Sequence, residues 1–180
     1  MKRSAWCGAL ILVALLAPAL AWPAQNLRLS PRLNYAHNKR QGPLITGTDM
    51  FQGAVAGMPN YIIFYEQFCY NAKRMAQRTV TLYSKYKGRV NFVVVDFQYG
   101  WSNDQNKLVE KYFHRNIPQV TILDSNLKPV FDYTGEAPED VLDGWIQYAL
   151  RASAQNHQAL QASGEPGHAA SPASDKSRDR

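Results

Sequence analysis

Two short apolar runs, separated by an amphipathic stretch, constrain the fold of this chain most. The runs cover residues 61–65 (YIIFY) and 92–95 (FVVV), and unbroken apolar character of this length is typical of central strands covered on both faces. A buried strand, a helix and a second buried strand predict a right-handed βαβ unit. The predicted helix buries a stripe at three- and four-residue spacing: Ala72, Met75, Ala76, Thr79, Leu82, Tyr83 and Tyr86. Its outer face is predicted to carry Lys73, Arg74, Gln77, Arg78 and Lys85.

Further elements are predicted after this unit. A capping box from Ser102 to Gln105 opens a second helix that ends near His114 and buries Leu108, Val109, Tyr112 and Phe113. Apolar runs at 120–123 and 130–133 flank a turn at 124–126 and predict an antiparallel hairpin. A last helix begins at Pro138 and is predicted to bury Val141, Leu142, Trp145, Ile146 and Ala149.

The predicted order is β-α-β-α-β-β-α, preceded by a short helix over 49–56. The fold class is therefore α/β, with a mixed central sheet flanked by helices: a parallel βαβ unit followed by a C-terminal antiparallel hairpin. We expect this domain to cover residues 47–151.

The two flanks differ from the domain in composition. Residues 1–21 have a basic start, an apolar run and small residues at Ala19 and Ala21, which predicts a signal peptide cleaved before Trp22. An uncleaved membrane anchor is the alternative. Residues 22–46 are predicted to be an extended segment, and residues 152–180 a helix extension followed by a disordered tail.

The net charge of +6 lies mainly in these flanks, because residues 59–150 contain ten basic and ten acidic residues. A nucleic-acid partner would need a cluster of positive charge on the folded surface, so we expect none. The four histidines show no metal-ligand spacing, and we expect neither a metal nor a cofactor.

The candidate reactive residue is Cys69, since the second cysteine, Cys7, falls in the predicted signal. Cys69 lies where a buried strand has ended and an amphipathic helix begins. The unpaired N–H groups and the dipole at a helix N-terminus favour an anion there, and Lys73 and Arg74 one turn later are expected to stabilise a thiolate further.

Phe68-Cys69-Tyr70-Asn71-Ala72-Lys73 resembles the active-site motif of the thioredoxin superfamily, an aromatic residue, Cys-x-x-Cys and Lys. Ile117-Pro118 is similar to the cis-proline site of that family, and Gly135 to a glycine that follows its last strand. The resemblance covers residues 47–150. It implies that Pro118 is cis and that the backbone at 116–119 lies beside Cys69, where an extended client would pair with it. A trans proline that merely starts a strand is the alternative.

The motif departs from the family pattern at two positions. Ala72 stands where the second, resolving cysteine is expected, and Ile63 where many thioredoxins have a buried aspartate that helps deprotonate that thiol. Ordinary dithiol turnover is excluded, because no internal thiol would release a mixed disulfide from Cys69.

Three interpretations of Cys69 remain open. It is a monothiol that exchanges with client proteins, peptides or small thiols, a relic in a redox-inactive binding or chaperone-like module, or a buried structural cysteine. A Cys69-linked homodimer is a further outcome. The expected binding surface comprises Phe68, Tyr70, Tyr99, Trp101, Ile117 and Pro118, although some of these rings are equally expected to cover the core. The predicted location is the bacterial periplasm, with secretion or N-terminal anchoring as alternatives.

Overall fold

The computed structural model describes residues 43–163. The predicted signal with Cys7, the segment 22–42 and the tail from residue 164 lie outside this range. Four strands and two helices fall within a residue or two of their predicted positions, and the last helix continues past residue 151 into the predicted helix extension. The elements are β1 (Asn60–Tyr65), α1 (Tyr70–Tyr86), β2 (Asn91–Asp96), α2 (Asn103–Tyr112), β3 (Gln119–Leu123), β4 (Pro129–Thr134) and α3 (Glu139–Ser163).

The four strands form one mixed sheet in the order β2-β1-β3-β4. The central strand β1 runs parallel to β2, with Ile63 opposite Val94, and antiparallel to β3, with Ile63 opposite Val120. Strand β4 pairs antiparallel with β3. The predicted α/β class, with a parallel βαβ unit and a C-terminal hairpin, is confirmed.

Two apolar clusters cover the two faces of the sheet. Successive side chains of β1 point to opposite faces, so Tyr61, Ile63 and Tyr65 join a cluster with buried residues of α1 and α3. Ile62 and Phe64 join the other cluster, which includes residues of α2. Each face of the sheet is therefore covered, as continuous apolar strands require.

The chain before β1 contributes to the core more than the sequence predicts. Leu44 and Ile45 are buried in the cluster beneath α1 and α3, although the predicted domain begins at residue 47. The predicted helix over 49–56 is only a single 3-10 turn, Thr48–Phe51. The chain then passes α2 closely, because a Cβ at Gly53 would lie 2.7 Å from Asp104 Cβ.

The predicted burial of α3 is wrong at two positions. Leu142, Ile146 and Ala149 are fully buried, but Val141 and Trp145 are exposed. The helix touches the sheet through a narrower stripe than predicted, and the Trp145 ring packs at the surface, 5.7 Å from Phe131 and 5.6 Å from Tyr148 between ring centroids. None of the helices in residues 43–163 combines the length and apolar character needed to span a bilayer.

The predicted exposure of Lys73 on α1 is also wrong. Its side chain is completely buried. Lys73 lies next to Ala72 and one turn before Ala76, both fully buried, so the first turn of α1 is covered over a wider arc than the rest of the helix. The burial lowers the pKa of the Lys73 ammonium group, because removal from water disfavours the charged form.

Candidate functional site

Cys69 is the N-cap residue of α1. Its backbone is extended (φ −79°, ψ 120°), its carbonyl accepts the first helical hydrogen bond from the Lys73 amide at 3.1 Å, and its own amide donates to the Glu66 carbonyl at 3.2 Å. The side chain is half-buried against the core cluster beneath α1. The thiol therefore sits at the positive end of a 17-residue helix while remaining within reach of solvent.

A loop from the other half of the chain lies beside this thiol. The Cys69 Sγ is 3.8 Å from the Ile117 carbonyl oxygen, 48 positions away in sequence. The peptide bond between Ile117 and Pro118 is cis, which confirms the predicted isomer. The loop is fixed in turn by Gly135, whose amide donates to the Pro118 carbonyl at 2.7 Å. Gly135 has φ +107°, a conformation that L side chains rarely adopt.

The order of the strands, the cysteine at the start of α1 and the cis-proline beside it together decide the fold. The domain has the thioredoxin fold. Cys69 is at the position of the first cysteine of the motif that the resemblance predicts, and Ala72 is at the position of the second.

Solved structures with this fold are similar to the chain. A thiol:disulfide interchange protein DsbE from Chlorobium tepidum matches 53% of this chain and 82% of its own length, at 17% identity and a TM-score of 0.45. Fasciola hepatica thioredoxin matches 52% and 83%, at 21% identity and 0.42. StoA from Bacillus subtilis matches 50% and 83%, at 14% identity and 0.42. At these TM-scores the matches add nothing to the topology, and they show nothing about activity.

No protein-family model matches the chain, and no curated protein matches it. The residues of the site must therefore be interpreted from their own contacts.

Apolar residues occupy the two positions at which the resemblance predicts a second thiol and a buried carboxylate. Ala72 is completely buried in the core cluster beneath α1. Ile63, in the centre of β1, is completely buried in the same cluster. Neither position holds a titratable group, so proton transfer to or from a second thiol has no counterpart here.

The two predicted thiolate-stabilising residues have different surroundings. Lys73 is buried in the domain. Arg74 forms a two-pronged ion pair with Glu136, one hydrogen bond from Nε to Oε2 at 2.8 Å and a second from Nη2 to Oε1. Its guanidinium also lies 4.3 Å from the centroid of the Tyr70 ring. Hydrogen bonding to Arg74 lowers the pKa of the Glu136 carboxyl, which is therefore ionised at neutral pH.

Glu136 links α1 to the segment between β4 and α3. Besides Arg74, its carboxylate meets Arg78 Nη2 at 3.5 Å. Arg78 Nη1 donates to the Ala137 carbonyl at 2.8 Å, and Arg74 Nη2 donates to Asn71 Oδ1 at 2.8 Å. Since Gly135 next to Glu136 holds the Pro118 carbonyl, this ion pair connects the two sides of the Cys69 site.

The predicted binding surface is only partly assembled, since Pro118 is buried and Ile117 is half-buried. Phe68 and Tyr70, on either side of Cys69, are exposed at 42% and 41%. Trp101 instead covers the core on the α2 side: its ring packs 4.8 Å from Phe97 and its indole N–H donates to the Asp96 carbonyl at 3.1 Å. Tyr99 is half-buried in the loop after β2.

The loop after β2 does meet the Cys69 turn at the predicted sheet edge. Gln98 Nε2 donates to Glu66 Oε1 at 3.1 Å, and the Phe97 amide donates to the Tyr65 carbonyl at 2.9 Å. The carboxyl ends of β1 and β2 thus form one rim, with Cys69 and its two exposed aromatic neighbours on one side of it.

Sequence reasoning missed Glu136, Asn71 and Arg78. A single glutamate between a strand and a helix carries no periodic signal, and its partner Arg74 lies 62 positions away. Only the pairing of α1 with the segment after β4 brings them together. Within residues 43–163, no three His, Cys, Asp or Glu side chains are grouped so that they could hold a metal ion.

Proposed function

We propose that this is an exported thioredoxin-fold protein that forms mixed disulfides with client proteins or small thiols through Cys69. The observation that carries the proposal is the position of the sulfur, at the N-terminus of α1 and 3.8 Å from the carbonyl that precedes the cis-proline. Helix N-termini stabilise thiolates, and the thiolate is the nucleophile in thiol-disulfide exchange.

The proposed reaction is a single exchange. The Cys69 thiolate attacks one sulfur of a client disulfide, a Cys69–client disulfide forms, and the other client sulfur leaves as a thiolate. Release requires a second thiolate from outside the domain, which attacks the mixed disulfide and regenerates Cys69. Ala72 cannot supply this thiolate, so the mixed disulfide is expected to be long-lived.

The client is expected to bind along the cis-proline loop. Phe68 and Tyr70 expose apolar rings on either side of the sulfur, and aromatic side chains are frequent anchors of protein interfaces. Ile117 offers backbone beside the sulfur for an extended peptide, whereas the Pro118 carbonyl is already bonded to the Gly135 amide. These features favour a polypeptide client over a partner that meets only the thiol.

Export is proposed on the pattern of residues 1–21, a basic start, an apolar run and an A-x-A site. An oxidising compartment such as the bacterial periplasm would supply client disulfides. A lone thiol in that compartment stays functional only if it exchanges with other disulfides.

The proposal is tested by the reactivity of the thiol. Iodoacetamide should alkylate Cys69 at pH 7 at least about tenfold faster than an ordinary exposed thiol, because the N–H groups at a helix N-terminus favour the thiolate that attacks the reagent. The matched control is the double variant Cys69→Ser, Gln77→Cys, which places one thiol on the exposed middle of α1. Mass spectrometry of the intact protein gives both rates.

Equal rates in the two proteins would contradict the proposal. The protein is then better described as a redox-inactive binding module. In that case Cys69→Ala should capture an unfolded client as well as the wild type does, whereas Tyr70→Ala should not. If Cys69→Ala abolishes capture, covalent exchange is required.

A further inference from the structure

The ion pair between Arg74 and Glu136 lies at the start of α1, close in sequence to Cys69. Arg74 is at the start of α1, five positions after the sulfur, and its guanidinium stacks on Tyr70, the residue next to Cys69. An unpaired guanidinium less than two helical turns from the sulfur would add positive charge to this end of α1 and so favour anions there. Glu136 meets it with both carboxylate oxygens.

Glu136 shares its single negative charge between two cations. It lies 3.5 Å from Arg78 as well as in contact with Arg74, and the carboxylate is only 20% exposed. Partial burial reduces screening by solvent, so the charge of Glu136 acts on the two arginines more than on the surroundings. The third cation nearby in sequence, Lys73, is completely buried and does not meet a ligand at the surface.

The exposed neighbours of the sulfur in the sequence are aromatic. Phe68 and Tyr70 are exposed, and the half-buried Ile117 lies beside the sulfur. Glu66 and Gln98 bond to each other at the same rim and add no cation. With Arg74 held by Glu136, this surface suits a disulfide whose neighbouring groups are apolar and uncharged. A small anionic disulfide would gain little there, because the cation that would attract it is already paired.

We propose that Glu136 is a specificity-determining residue which, by pairing with Arg74, makes Cys69 react with disulfides in uncharged, apolar surroundings in preference to small anionic disulfides. The inference rests on the proposed exchange function and names its substrate class. With either class of disulfide the chemistry is the same: the Cys69 thiolate forms a bond to one sulfur, and the other sulfur leaves as a thiolate.

The test compares two reagents that differ in charge. Dithiobis(nitrobenzoate) carries two negative charges and dithiodipyridine carries none at neutral pH, and each releases a coloured leaving group. The readout is the ratio of the two rate constants at low ionic strength. Because both reagents meet the same thiol, a change in its ionised fraction cancels in this ratio.

Glu136→Gln keeps the size of the side chain and removes its charge. We expect the ratio of the anionic to the uncharged rate to rise at least about threefold, because an unpaired Arg74 attracts the dianion. The rise should disappear at high salt. The double variant Glu136→Gln, Arg74→Gln should restore the wild-type ratio.

The matched control is Asp143→Asn. Asp143 is also a carboxylate that links α1 to α3, through Lys85 at 2.7 Å and Tyr86 at 2.6 Å, but it lies at the far end of α1 from Cys69. Its substitution changes the net charge of the protein equally and should leave the ratio unchanged.

Three results are decisive against the inference. An unchanged ratio in Glu136→Gln, with both reagents still reacting, overturns it and leaves the exchange function intact. An equal rise in Asp143→Asn shows that net charge, and not Arg74, sets the preference. If neither reagent reacts with Cys69 in the wild type, the exchange function fails and this inference falls with it.

Discussion

Ala72 and Ile63 determine what the cysteine at the start of α1 is able to do. Both are completely buried in the same apolar cluster, in the places where the family resemblance implies a second thiol and a carboxylate that serves it. A buried carboxylate without a partner is strongly unfavourable, so the presence of isoleucine is consistent with the absence of the thiol. With alanine and isoleucine at these positions, Cys69 keeps its place at the helix N-terminus beside the cis-proline. The domain then has no second thiol that could release a mixed disulfide from it.

Restoring the thiol at residue 72 should restore release. A Cys-x-x-Cys pair at the start of a helix is the arrangement that forms and opens disulfides in thiol-disulfide oxidoreductases. We therefore expect Ala72→Cys to shorten the lifetime of a Cys69 mixed disulfide with a peptide at least about tenfold, because attack from within the domain replaces a bimolecular step. Intact-protein mass spectrometry follows the decay of the adduct.

The control for this prediction is Gln77→Cys, which adds a thiol on the exposed side of α1, two turns beyond Cys69. It should leave the lifetime unchanged. An adduct that decays equally slowly in Ala72→Cys would show that the buried side chain at residue 72 does not reach the sulfur of Cys69.

At the scale of elements, the start of α2 is held by one side chain with two roles. Gln105 completes the capping box with Ser102. Its amide also donates to the carbonyls of Met50, Gln52 and Val94, at 2.8, 3.3 and 3.2 Å. The side chain is nearly completely buried, so α2, β2 and the segment before β1 share one hydrogen-bonding centre.

Substitution of Gln105 should therefore destabilise the domain more than loss of the cap alone. Ser102→Ala should lower the free energy of unfolding by about 1 kcal/mol. Gln105→Ala should lower it by about 2–3 kcal/mol, because it also leaves buried carbonyls without donors. Urea unfolding measures both, with the exposed Asn106→Ala on the same helix as the control. Equal losses for Ser102→Ala and Gln105→Ala would show that the three carbonyl contacts contribute nothing.

At the scale of the whole molecule, charge and apolar character are separated along the chain. The ten acidic and ten basic residues of 59–150 balance, while residues 1–21 combine two basic residues with an apolar run. The chain of 20.3 kDa should therefore be shortened on export by cleavage of this signal. Expression in a bacterium should give a periplasmic protein whose first residue is Trp22, as N-terminal sequencing would show.

Blocking the cleavage site provides the control. Ala21→Phe puts a large side chain where signal cleavage requires a small one, so the full-length protein should remain with the membrane. A wild-type protein that also stays full-length in the membrane fraction would show that residues 1–21 are an anchor.

Sequence patterns determined the elements better than the contacts between them. Continuous apolar runs and the Ser102–Gln105 box located the strands and α2, because these signals are local. The burial of Lys73 and the exposure of Trp145 were not predicted, since both depend on how widely a neighbouring layer covers a helix.

The same distinction applies to the site. Cys69, Ile117 and Pro118 were predicted together through the resemblance, and they do lie together. Glu136 was missed because its partner Arg74 is brought to it only by tertiary structure. Trp101 was predicted to belong to the binding surface but packs against the core, because an aromatic residue in a loop can cover the core as readily as it can line a binding surface.

The central place of β1 in the sheet has a consequence for a chain that is made from its N-terminus. The ribosome completes β1 and its parallel neighbour β2 by Asp96, but the strand that pairs with the other edge of β1 begins only at Gln119. Until then the nascent chain carries an apolar strand with an open edge, which is a template for pairing with other chains. A ribosome-bound chain stalled after β2 should therefore need a chaperone to stay monomeric, whereas one released after α3, which covers the remaining apolar face, should not.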